Sequence, residues 1–174
     1  MNAFIVPFLV AATLLVVSGV LKTTRPERTV GALVAVGLPG PSWLVRGLGA
    51  AEVGVGTGAL VWGTRPWGVL VAGSYTAFAA FVALARHRGT PLSSCGCFGV
   101  IDTPPTILHL VVNIVFTAAG AAVVAGAPAG IPSVVEAQPA VGVTTLLLAG
   151  VGTYLCFLVL TRLAQLQSLM HREP

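Results

Sequence analysis

Apolar residues fall along this chain in runs of about twenty, separated by short clusters of Gly, Pro and charged residues. The first run covers residues 3–21, which matches the roughly 20 helical residues that cross a bilayer. Runs of similar length at 42–62, 66–85, about 105–125 and about 139–162 predict four more spans. The stretch between the first two, "TTRPERTVGALVAVGLPGP", has an apolar part too short to cross. It predicts a short interfacial or re-entrant helix. Thr24 and Glu27 have capping-box spacing, Pro26 falls in the first turn, and Pro39 and Pro41 end the helix. Before the fourth span, "DTPP" offers Asp102 or Thr103 as N-cap, with Pro104 at the first helical position. Residues 126–138 carry no Lys or Arg and read as a loop.

Composition fixes the solvent. The chain has 174 residues, of which 56% are hydrophobic and 8% charged, with a mean hydropathy of +0.95. Soluble domains carry about 25% charged residues, so this chain cannot cover a water-facing surface. The expected fold is an all-α integral membrane bundle of about five spans plus the short helix, forming one domain over residues 1–174. The net charge of +4 comes from scattered basic residues without interleaved aromatics, which argues against a nucleic-acid partner and for membrane lipid.

The same charges predict orientation. With the N-terminus outside, Lys22, Arg25, Arg28, Arg86, Arg88, Arg162 and Arg172 fall on the cytoplasmic side, and Arg65 alone falls in an outer loop. Arg46, near the start of a span, completes the nine. No basic residue precedes the first run and no small-x-small site follows it, so it reads as a retained span rather than a secretory signal. The expected location is the cell membrane, multi-pass, with the C-terminus in the cytoplasm.

Three cysteines are too few for a disulfide scaffold. Two of them, Cys95 and Cys97, flank Gly96 in "SSCGCFG". A disulfide across one residue closes a small strained ring, which favours exchange. Arg86, His87 and Arg88 upstream and a helix N-terminus downstream favour the thiolate. The competing readings are inert or lipidated thiols and a metal site, although two thiolates do not complete a tetrahedral metal shell. Cys156 lies about 9 Å inside the last span, on the same side as the CGC segment, and could join the exchange or simply pack.

The remaining candidates are polar residues inside spans. Glu52 is the midpoint of the second span, where a carboxylate costs about 2.5–3.5 kcal/mol to insert, so it calls for a partner from another helix. Thr106, His109 and Asn113 share one face of the fourth span. His109 could pass protons to a thiol, or the three could serve interhelical hydrogen bonding. Ser74, Tyr75 and Thr76 read as packing or lining.

Lys22 with the short helix behind it, Glu52, "CGCFG" at 95–99 and Asn113 together carry a resemblance. Over about residues 10–125 the chain resembles the MauE family, membrane proteins of methylamine utilisation related to the DoxX-like bundle group. The resemblance implies a role in disulfide formation or maturation of exported proteins, beside a thioredoxin-like partner, with Cys95 and Cys97 as carriers. Such a partner works outside, whereas the charge pattern places the CGC segment inside. Electrons would then cross the bundle, or the segment would be reached from both sides. The expected function is a membrane thiol–disulfide relay. The alternatives are a quinone-coupled thiol oxidoreductase, which would take quinone as its cofactor, and a non-enzymatic assembly or scaffold protein.

Overall fold

The computed structural model describes residues 3–88, 106–126 and 129–163. Among them are α1 (Ile5–Thr24), α2 (Glu27–Ala35), α3 (Ser42–Val61), α4 (Arg65–His87), α5 (Ile107–Ala125), α6 (Ile131–Ala137) and α7 (Pro139–Leu158). A π-helical turn, Val159–Leu163, continues α7. Five of these helices, α1, α3, α4, α5 and α7, are long and apolar enough to cross a membrane. α2, with nine residues, rises only about 13 Å and does not.

α1 is the central helix: 56% of its span is buried, against 17% for α7. Its Phe8, Leu9, Leu14 and Leu15 are wholly enclosed. Glycine sets how closely its neighbour approaches. A Cβ on Gly19 would meet the Gly49 carbonyl at 2.4 Å, and one on Gly56 would meet the Ala12 carbonyl at 2.6 Å. The order of these contacts makes α1 and α3 antiparallel, in backbone-to-backbone contact. Small residues suit this role in a membrane, where packing rather than water exclusion holds helices together. Gly68 and Gly120 join α4 to α5 in the same way. Tyr75 of α4 reaches across and donates from its hydroxyl to the Ala11 carbonyl at 2.7 Å, with its ring edge-on to Phe116.

Element ends differ from the sequence expectations in four places. Thr24 does not cap α2: it ends α1, and its hydroxyl donates back to Val20 O at 2.8 Å, leaving Pro26 at the N-cap. α2 stops before Pro39 and Pro41, in a Schellman motif. Gly37 adopts φ 72°, its N–H bonds Val34 O, and the Leu38 N–H bonds Leu33 O. α5 begins at Ile107 with Thr106 as N-cap, while Asp102, Thr103 and Pro104 lie outside the described residues. The expected loop at 126–138 contains α6. The Ala129 N–H bonds Gly63 O at 3.0 Å, so the segment entering α6 closes over the α3–α4 turn. Gly63 turns there with φ 51°.

Aromatic side chains mark both ends of the bundle. Trp43, 73% exposed, opens α3 at one end, and Trp62 stacks on Trp67 at the other, with centroids 5.5 Å apart. Amphipathic rings at both rims suit the two interfaces of a bilayer.

Candidate functional site: a polar cluster at one end of the bundle

α1 ends, α3 begins, α4 ends and α5 begins at the same end of the bundle. Ser18 and Lys22 lie one turn apart on α1 and so share a face. α3 brings Glu52 to that face. Lys22 Nζ donates to Glu52 Oε1 at 2.7 Å, to Oε2 at 2.8 Å and to Ser18 Oγ at 2.8 Å. The Ser18 hydroxyl in turn donates to Glu52 Oε2 at 3.0 Å. The result is a closed ring of charge-assisted bonds, with Lys22 4% and Glu52 3% exposed. Lys22 Nζ also lies 4.6 Å from the centre of the Phe78 ring.

The local sequence makes room for this pair. A Cβ on Gly49, one turn from Glu52 on α3, would come within 2.9 Å of Lys22 Cβ. Glycine at 49 thus leaves the lysine stem its path between the helices. Within hydrocarbon, neither charge is tolerable alone, and together they leave no net charge.

Next to the ring is a cavity of about 20 Å³, lined by Ser18 and Leu14 of α1, Tyr75 and Phe78 of α4, His109 and Asn113 of α5, and Leu160. It has room for about one water molecule. Thr106 and His109 form a capping box at the start of α5. The Thr106 N–H donates to His109 Nδ1 at 3.4 Å, and the Thr106 hydroxyl lies 3.0 Å from the same nitrogen. With Nδ1 accepting, a neutral ring carries its proton on Nε2.

Glu52, His109 and Asn113 are therefore brought into one half of the bundle, between its middle and this end, with Ser18 shared between the charged ring and the cavity. Thr106 orients His109 rather than lining the cavity. Cys156 is half-buried and packs against the apolar core. Its neighbour one turn on, Leu160, lines the cavity, but Cys156 itself does not. Cys95 and Cys97 lie outside the described residues. Lys22 has a role that charge counting does not show. Grouped above with the cytoplasmic charges, it is buried and neutralised, which leaves six basic residues to one in the orientation argument. The signal for its true role was the Ser18–Lys22 spacing inside an unbroken apolar helix, facing a lone mid-span carboxylate.

Neither a curated protein nor a solved structure matches this chain. The family described as methylamine utilisation protein MauE matches residues 1–126, from α1 to the end of α5. That match takes in Lys22, Glu52, the CGC pair, His109 and Asn113, and leaves α6 and α7 beyond it. On a match over most of its length, in a bundle with five membrane-crossing helices, this multi-pass membrane protein belongs to the MauE family.

Proposed function

We propose that the protein is a membrane thiol–disulfide relay. In this reading the 1–174 chain acts as one membrane domain, Cys95 and Cys97 carry the redox equivalents, and a thioredoxin-like protein exchanges with them. The pathway is disulfide formation or maturation of exported proteins, with methylamine utilisation as its setting. The observation that carries the reading is positional. The Lys22–Glu52–Ser18 ring and the His109–Asn113 cavity lie in the half of the bundle in which α4 ends and α5 begins, and the sequence joining those two ends holds Cys95-Gly96-Cys97. Polar groups at that depth serve a chemistry that moves protons with electrons. His109, oriented by Thr106, is the candidate proton carrier, and Cys156 is a secondary thiol. Orientation follows the charges, with the N-terminus outside and the C-terminus cytoplasmic.

Exchange passes through a mixed disulfide. In the direction that forms disulfides, a partner thiolate attacks Cys95 Sγ of the 95–97 disulfide, a partner–Cys95 S–S bond forms as the 95–97 bond breaks, and Cys97 leaves as thiolate. The second partner thiolate then attacks the partner sulfur of this mixed disulfide, releasing the partner as a disulfide and leaving Cys95 and Cys97 as a dithiol, while attack of the Cys97 thiolate on Cys95 Sγ resolves the adduct in reverse. Cys97→Ser removes the resolving thiolate and should accumulate a reducible adduct with a thioredoxin-like protein, whereas Cys95→Ser should accumulate less. Failure of both variants to trap a partner, with full function in the double variant, would leave a scaffold role and refute the relay.

A further inference from the structure

A larger cavity, about 390 Å³, lies on the other side of Lys22. α2 forms one wall with Thr29, Ala32 and Leu33, and α4 forms the facing wall with Ala77, Phe78, Ala80 and Phe81. Its size falls in the roughly 300–1,000 Å³ range of small-molecule sites. Ala77 and Ala80 are exposed on the wall of α4, in the middle of a membrane-crossing helix, so the cavity opens toward the lipid. α2 is held against α4 by the packing of Ala32 and Val36 on Phe81 and Ala85 and by the Arg88 guanidinium, which donates to Val36 O.

The polar lining limits what fits. Lys22 and Thr29 are the polar side chains among its lining residues. The charge of Lys22 is cancelled by Glu52, so a phosphate headgroup would meet no uncompensated cation among the lining residues. Lys22 spends two N–H bonds on one carboxylate, so one of them can turn to a neutral carbonyl while the ion pair is kept. Phe78 and Phe81 add aromatic surface to an otherwise aliphatic lining, which suits a flat ring. We infer that this cavity binds a neutral isoprenoid quinone from the bilayer, its ring between α2 and α4 and a carbonyl toward Lys22.

The inference deepens the relay reading and rests on it for its purpose. Two thiols forming a disulfide release two electrons and two protons, and one quinone takes up both to become a quinol. Binding itself is measured without turnover. The full-length protein in detergent micelles is titrated with a tritiated short-chain ubiquinone analogue. Saturable binding at one site per chain is expected. Ala77→Phe and Ala80→Phe, which fill the cavity from its exposed wall, should weaken it at least tenfold. Leu147→Phe, on the lipid-facing side of α7, should not change it. An azido analogue should label peptides of α2 or α4 in the unaltered protein, a readout that needs no variant. Non-saturable uptake, labelling confined to other helices, or a tightly held phospholipid that the analogue does not displace would overturn the site. The Cys95→Ser/Cys97→Ser double variant should bind as the unaltered chain does. Binding that persists there while no partner is ever trapped would sink the relay and leave the site standing.

Discussion

Lys22 and Glu52, thirty positions apart in sequence and on different helices, form a two-point ion pair that is almost completely enclosed. Removing either partner strands a charge in a low-dielectric interior, which costs about 3–5 kcal/mol. Lys22→Met and Glu52→Gln should each destabilise the bundle by that order, while the double variant should recover most of the loss. Reversible unfolding in mixed micelles, run as a double-mutant cycle, measures the coupling. Additive losses would show that the pair does not act as a unit. If the double variant folds but no longer supports thiol transfer, the pair has a role beyond holding α1 to α3.

The glycines of α3 should split by face. Gly49→Val and Gly56→Val push a side chain into the α1 backbone and should cost about 1–3 kcal/mol. Gly54 has open space around its Cβ position, so Gly54→Ala should stabilise the helix by about 0.5–1 kcal/mol. The same unfolding measurement reads both signs. Equal effects at 49 and 54 would contradict the helix contact.

Thr106→Ala removes the hydroxyl that meets His109 Nδ1 and should cost about 1 kcal/mol, felt first at the start of α5. Amide exchange in the first turn of α5 should quicken while the rest of the helix is unchanged, and Thr106→Ser should restore protection. Unchanged exchange in Thr106→Ala would mean that His109 is oriented by other groups.

Orientation can be read directly. Reporter fusions after Gly130 should report the outside, and fusions at the C-terminus the cytoplasm. Removing Arg25, Arg28, Arg86 and Arg88 together should disturb this pattern. The reverse pattern in the unaltered chain would place the α4–α5 connection on the outer face.

The spans were legible because a bilayer imposes one requirement, about twenty apolar residues, and the chain meets it five times. Glu52 was legible for a related reason: a carboxylate at mid-span must find a partner. The partner itself was not. Lys22 stands at the end of an apolar run, where a topological charge also belongs, and only the packing of α1 on α3 decides between the two. Helix starts were harder. "DTPP" obeys the N-terminal rules as well as Thr106 does, and the box that Thr106 closes uses His109 where the usual signature has Glu or Gln. α6 was missed because seven residues in a Gly- and Pro-rich stretch carry too little periodicity to show a helix. Of the candidate thiols, Cys156 sits in the packed region, and Cys95 and Cys97 lie outside the described residues.

The ion pair also bears on the order of biosynthesis. α1 leaves the ribosome before α3, strongly apolar and with its single charge in the last turn, so it can enter the bilayer unaided. α3 follows as the least apolar of the five spans, with a carboxylate at its centre, and is a poor substrate for insertion on its own. A lysine already waiting at the matching depth turns that carboxylate from an obstacle into an anchor. α3 should therefore integrate efficiently only when α1 with Lys22 precedes it. Glycosylation-site tagging of nascent chains with and without α1, or with Lys22→Met, tests this, and equal integration in all three would show that α3 enters the membrane alone.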